Sequence, residues 1–282
     1  MQLARGLRAA GCAAAGWAWL AAPAAAQEAT NTPAATQPAA GKFYLRQRFQ
    51  YVGLGDDPSP ENREIDKFIS TTTLLYGVTR NISLSAELPL VYGVENPSVG
   101  DTDRAFGVND IMLLMKYRPL QIDLNPLDSI RFAVFGGVEV PSGDGDFSSH
   151  SFDPIVGGVF TAILGRHGFN QSVSYKFNYG GDLYNTRAGD GPSNALRYDT
   201  AYLFRLSPEM YGAESTAATY LTLELNGLYE TNGDNEILFG PGILYEARTF
   251  ALEATVGFPI HRDVDDRPQT DLTVTFGFRI LF

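Results

Sequence analysis

Hydrophobic and polar residues alternate along most of this chain. Between Asp271 and Phe282, Leu272, Val274, Phe276, Phe278, Ile280 and Phe282 fall on one face of an extended strand. Thr273, Thr275, Gly277, Arg279 and Leu281 fall on the other. A period of two is the signature of a β-strand, and one greasy face opposite a mostly polar one places that strand between two different surroundings.

The pattern recurs from Lys42 onward. In a first segment Phe43, Leu45, Phe49 and Tyr51 oppose Arg46, Arg48 and Gln50; in a third, Ile82, Leu84, Ala86, Leu88, Leu90 and Tyr92 oppose Ser83, Ser85 and Glu87. Further segments start near Ile111, Ile130, Phe169, Arg197, Leu221, Glu236 and Phe250. Two are less distinct: 68–78, where Thr71 to Thr73 interrupt the apolar signal, and the glycine-rich 154–164. Most runs reach the roughly 9–11 residues that a tilted strand needs to cross hydrocarbon.

The connections agree. Segments 54–67, 93–107, 141–152, 180–194, 231–235 and 261–270 are rich in Asp, Gly, Pro and Ser, and all but one are long, whereas 79–81, 165–168 and 247–249 are short. An even number of strands brings the last beside the first and leaves no open edge. The expectation is an all-β fold: an antiparallel transmembrane β-barrel of twelve strands, with short periplasmic turns and longer outer loops. Ten or fourteen strands follow if either indistinct segment is misread. A soluble sandwich also alternates, but it accounts neither for the loop asymmetry nor for aromatics near strand ends. Tyr117, Tyr179, Tyr198, Tyr245 and Phe282 read as interfacial girdles.

Composition changes the picture at the N-terminus. Arg5 and Arg8 precede an apolar Ala-rich run that ends at Ala24-Ala25-Ala26, which predicts a secretory signal peptide over Met1–Ala26. Its removal would take away Cys12, the one cysteine of the sequence. Residues 27–41 are rich in Pro, Ala and Thr with no large apolar residue, and read as a disordered periplasmic linker before a barrel spanning 42–282. The expected location is the outer membrane of a Gram-negative bacterium after Sec-type export. Outer-membrane lipid and lipopolysaccharide would surround the barrel, and the terminal Phe282 resembles the signal read by the barrel-insertion machinery. A net charge of −11 argues against nucleic-acid binding.

Twelve tilted strands enclose a backbone radius of roughly 12 Å. The charges predicted to line that lumen, as candidates for a constriction, are Arg46, Arg48, Lys116, Arg118, Arg131, Arg205, Arg279, Glu224, Glu246 and Glu253. They support two readings: a water-filled path with a cationic inner mouth that steers anions, or charges paired across the lumen that plug it. No catalytic, cofactor or metal motif stands out. His150, His167 and His261 belong to no metal-ligand spacing, and the acidic stretches Asp144–Asp146 and Asp263–Asp266 lack the spacing of an EF-hand. His150-Ser151 invites comparison with outer-membrane phospholipases, but the pair is adjacent in sequence and sits in a predicted loop.

Three stretches carry a family resemblance: Tyr76–Tyr92 (YGVTRNISLSAELPLVY), Gly107–Arg118 (GVNDIMLLMKYR) and Val138–Asp144 (VEVPSGD). They resemble the proteobacterial family labelled "MetA-pathway of phenol degradation", whose members are transporter-like outer-membrane barrels. The resemblance implies a channel or transporter for passive or facilitated diffusion of small solutes, aromatic or hydrophobic compounds among them, with no cofactor and no covalent chemistry. The alternatives are a closed structural or adhesive barrel and, further off, a membrane-facing lipid hydrolase.

Overall fold

A computed structural model describes residues 27–282 apart from Asp182 and Ala213; the signal peptide expected over Met1–Ala26 lies outside the described residues. Thirteen strands run in chain order: β1 (Phe43–Gly55), β2 (Glu64–Gly77), β3 (Ile82–Asn96), β4 (Asp103–Val108), β5 (Ile111–Asp123), β6 (Ser129–Val140), β7 (Asp153–Leu164), β8 (His167–Lys176), β9 (Ala195–Ser207), β10 (Ala217–Glu230), β11 (Asn235–Ala247), β12 (Phe250–Asp263) and β13 (Gln269–Leu281). Each pairs antiparallel with its sequence neighbour, except that β4 and β5 lie end to end along β3. They act as one interrupted stave, so the wall has the twelve staves expected. Pairing of β1 with β13 closes it.

The interruption falls at Asn109–Asp110, where the backbone N–H of Asn109 still donates to Pro89 of β3 at 2.9 Å. The Asp110 carboxylate turns away from the ladder and accepts backbone N–H bonds from Ser142, Gly143 and Ser149, at 2.9, 2.8 and 2.7 Å. The strand thus gives up two pairing positions and gathers the 141–152 connection onto the rim.

The outward face is apolar, as the alternation requires. Exposed rings cluster toward both rims: Phe43 stacks near Tyr76 and Tyr245 near Phe250 at the short-turn rim, and Tyr51, Phe68 and Tyr92 form a row at the other. Between them lie exposed aliphatic residues such as Leu84, Leu113, Val134, Val173, Leu225, Leu252 and Val274. This is the belt-and-girdle surface of a lipid-facing barrel.

Both indistinct segments are strands, and each has a physical reason for its weak signal. In β2, Ser70 and Thr72 sit on the outward face beside Gln47 of β1. The Gln47 amide donates to Ser70 Oγ at 2.9 Å and accepts from Thr72 Oγ1 at 2.6 Å. The three polar groups satisfy one another, which is what a hydrocarbon-facing surface demands of them. In β7, Ile155, Val159 and Ile163 point inward and are buried, while Val156 and Leu164 point outward. Both faces are greasy, so the alternation disappears.

Strands also run further toward the long-loop rim than the pattern suggests. β4 takes up residues expected in a loop, β12 continues to Asp263 and β13 begins at Gln269. The connections there shrink accordingly, to 56–63, 97–102 and 264–268.

Candidate functional site

The largest departure from the sequence reading concerns residues 27–41. They are not a free linker. The chain enters the barrel at the short-turn rim, where Gly41 N–H donates to the Gly77 carbonyl at 2.7 Å, and the preceding residues lie inside the lumen. Ala29, Ala34 and Ala35 are completely buried. Gly77 has no side chain for a reason: a Cβ there would run into the carbonyls of Pro38 and Ala39.

This strap is held by the lumenal charges. Glu224 on β10, itself inaccessible, accepts the backbone N–H groups of Thr30 (3.1 Å), Asn31 (2.9 Å) and Thr32 (2.8 Å), with the Thr32 hydroxyl at 2.9 Å. Arg46 on β1 donates to the carbonyls of Ala29 and Thr30, and Arg279 on β13 to those of Glu28 and Ala29. Lys116 on β5 caps the Ala34 carbonyl at 2.9 Å. Thr161 on β7 accepts from Ala35 N–H at 2.8 Å and donates its hydroxyl hydrogen bond to the amide oxygen of Asn170 on β8, whose amide nitrogen donates to the Gln27 carbonyl at 2.9 Å. Every residue from Gln27 to Ala35 except Pro33 thereby has at least one backbone group bonded to a side chain of the wall.

Packing completes the fit. Ala29 sits in a buried cluster with Ala201, Leu203, Ala218, Tyr220, Leu244 and Ala251, and Ala35 in another with Ala133 and Val159. Small side chains on both partners let the strap approach the wall closely. A segment that cannot build a core of its own is completed by one that the barrel provides.

The predicted lumenal residues fall into three groups. Arg46, Arg279, Glu224, Glu253, Lys116 and Arg118 surround the strap. Glu253 bridges Arg279 and Arg46, the latter at 2.8 Å, while Glu28 of the strap lies 3.8–4.0 Å from both. Arg118 reaches the Arg80 carbonyl at 2.8 Å and the Ala35 carbonyl at 3.5 Å. Arg48 lies further into the lumen, 3.9 Å from Glu87. Of the remaining three, Arg131 is half-buried on β6, Arg205 lies over the Tyr211 ring at 4.2 Å, and Glu246 is half-buried near the end of β11. The charges therefore neither stand free nor simply pair with one another. Most of them meet through the strap, a partner that the reading of the strands did not include.

Above the strap a cavity of about 550 Å³ remains. Glu28, Asn31 and Pro33 of the strap form part of its wall, and Ala188 and Gly189 of the 177–194 connection another part. That connection folds inward: Asn109 donates to the Ala188 carbonyl at 2.8 Å, Thr186 to Glu95 at 2.6 Å, and Arg187 binds Asp146 and Asp103. Cationic Arg46, Arg48, Lys116, Lys176 and Arg197 share the lining with Glu28, Glu87, Asp110, Glu139 and Asp199. The Ser151 hydroxyl donates to Asp153 at 2.8 Å, so it is engaged by a carboxylate at the rim.

Among solved structures, the chain is similar to the COG4313 outer membrane channel from Pseudomonas putida F1, with a TM-score of 0.57 at 12% identity, over 88% of this chain and 97% of that one. The translocator domain of the autotransporter NalP from Neisseria meningitidis aligns with a TM-score of 0.48 at 10% identity, over 86% of this chain and 89% of that one. No protein-family model matches the chain, and no curated protein matches it. At such identities the likeness is one of fold: the chain has the closed antiparallel architecture of outer-membrane barrels, and the phenol-degradation label gains no support beyond that.

Proposed function

We propose that this protein is an outer-membrane channel for small polar solutes whose pore is narrowed by its own N-terminal strap. The observation that carries the reading is the cavity of about 550 Å³ between the strap and the 177–194 connection, enclosed by a closed barrel and lined by charged groups of both signs. The charged groups of that lining can hydrate ions and polar molecules, and Met112, Leu114, Phe135, Ile155 and Leu238 give it an apolar part as well. The charged groups carry the preference for polar compounds, and the apolar part leaves room for the aromatic ones that the family resemblance implied. Cations and anions are nearly balanced along it, so only weak charge selectivity is expected.

Single-channel recording of the purified protein in a planar bilayer tests this. Discrete steps of low conductance are expected, with a reversal potential near zero in a salt gradient. Replacing Arg48 by Glu is expected to shift that potential toward cation preference, because Arg48 lines the cavity and is only loosely paired, 3.9 Å from Glu87. A silent bilayer with the folded barrel inserted would favour the second reading, a closed structural barrel, which the strap at one end and the folded-in connection at the other also suit.

A further inference from the structure

At the mouth of the cavity one group of carboxylates is short of counter-charge. Glu139 and Asp153 are direct cross-strand partners on β6 and β7, a placement in which like charges oppose strand pairing. Asp190, from the 177–194 connection, joins them, and the three carboxylates each contribute an oxygen to a cluster whose members lie within 4.8 Å of one another. Lys176 on β8 reaches Glu139 at 2.9 Å and Asp190 at 2.8 Å. Among the described residues no ion pair reaches Asp153. That side chain is wholly buried; its Oδ1 accepts from Ser151 Oγ at 2.8 Å and Tyr179 N–H at 2.9 Å, and its Oδ2 has no partner.

We propose that Glu139, Asp153 and Asp190 form a binding site for a hard divalent cation, calcium in preference to others, which ties the 177–194 connection to the barrel wall. The donor set consists of carboxylate oxygens, which suits calcium. Calcium accepts six to eight oxygens in flexible geometry, and carboxylates can bind it through one oxygen or two. Zinc and the softer metals favour nitrogen and sulfur ligands, and the cluster contains neither histidine nor cysteine. The Asp153 carboxylate is wholly buried and its Oδ2 has no partner, so this ligand group is already stripped of water. Lys176 and the cation are rivals for Glu139 and Asp190. When calcium binds, the ammonium turns into the cavity that Lys176 already lines. Two ligands come from the wall and one from the connection, so binding holds that connection over the cavity.

Calcium titration of the purified protein by calorimetry, with hydrogen exchange read over residues 177–194, tests the site apart from any conduction. Saturable binding of one ion is expected, with slower exchange in that segment when calcium is present. Asp190→Asn, which leaves the barrel wall untouched, and Asp153→Asn are each expected to weaken binding by about tenfold or more. Lys176→Gln, which removes the rival cation, is expected to tighten it. The proposal is overturned if the native protein shows no saturable calcium binding, if Asp190→Asn binds as well as the parent, or if Lys176→Gln weakens binding.

Discussion

Excising residues 28–40 raises the unitary conductance of the barrel severalfold and leaves the barrel folded. The wall closes through its own strand ladder, from β1 through β13, and no strand pairing passes through the strap. What the strap contributes is obstruction: an extended chain lying in the lumen, fixed by Glu224, Arg46, Arg279, Lys116 and Thr161. Once it is gone, those groups face water. Glu253 still neutralises Arg46 and Arg279, so the interior keeps its main ion pairs. A shortened barrel with unchanged heat-modifiable gel mobility and larger current steps is the expected outcome. An excised barrel that is folded yet conducts no better than the parent would show that the restriction lies elsewhere, the 177–194 connection being the other candidate.

Glu253→Gln destabilises the barrel by about 3–5 kcal/mol, the cost of breaking a buried ion pair by removing one partner. Glu253 is almost inaccessible, and it is the shared counter-ion of two guanidinium groups, one of which, Arg279, is equally buried. Glutamine preserves the shape but leaves the two cations dependent on Glu28, which is no nearer than 3.8 Å to either. The exposed pair Arg262–Asp271 provides the contrast, because Asp271→Asn removes a contact that solvent already screens and should change stability by less than about 1 kcal/mol. Urea unfolding of the two variants, followed by gel mobility, separates the cases. Equal midpoints would mean that Glu253 is not the charge on which the lumen depends.

The wall was legible because lipid and lumen impose opposite demands on successive residues. The last strand, with Phe276 and Phe278 on one face and Thr275 and Arg279 on the other, shows this plainly. Where the demand relaxes, so does the signal: Ser70 and Thr72 are tolerated outward because Gln47 satisfies them, while Val159 faces inward against Ala35 of the strap and Ile155 inward at the cavity wall. The strap itself was not legible. Its composition lacks a core, and the complementary apolar surface belongs to Ala201, Ala218 and Ala251, far along the chain. Arg46, Glu224 and Arg279 were recognisable as lumenal, but nothing local in the sequence couples them to the backbone of residues 28–32. The grouping of Glu139, Asp153 and Asp190 was not legible for the same reason: they come from three elements, and only register and the inward fold of the 177–194 connection bring them together.

The strap lies inside the barrel, and the accessibility of one thiol tests that most directly. In a Cys12→Ala background, Ala34→Cys places a thiol where the chain is inaccessible, and Val99→Cys places one at a position 90% exposed. A membrane-impermeant maleimide is expected to label Val99→Cys at once and Ala34→Cys only after the barrel is unfolded. Labelling of Ala34→Cys in the folded barrel as fast as Val99→Cys would contradict that placement.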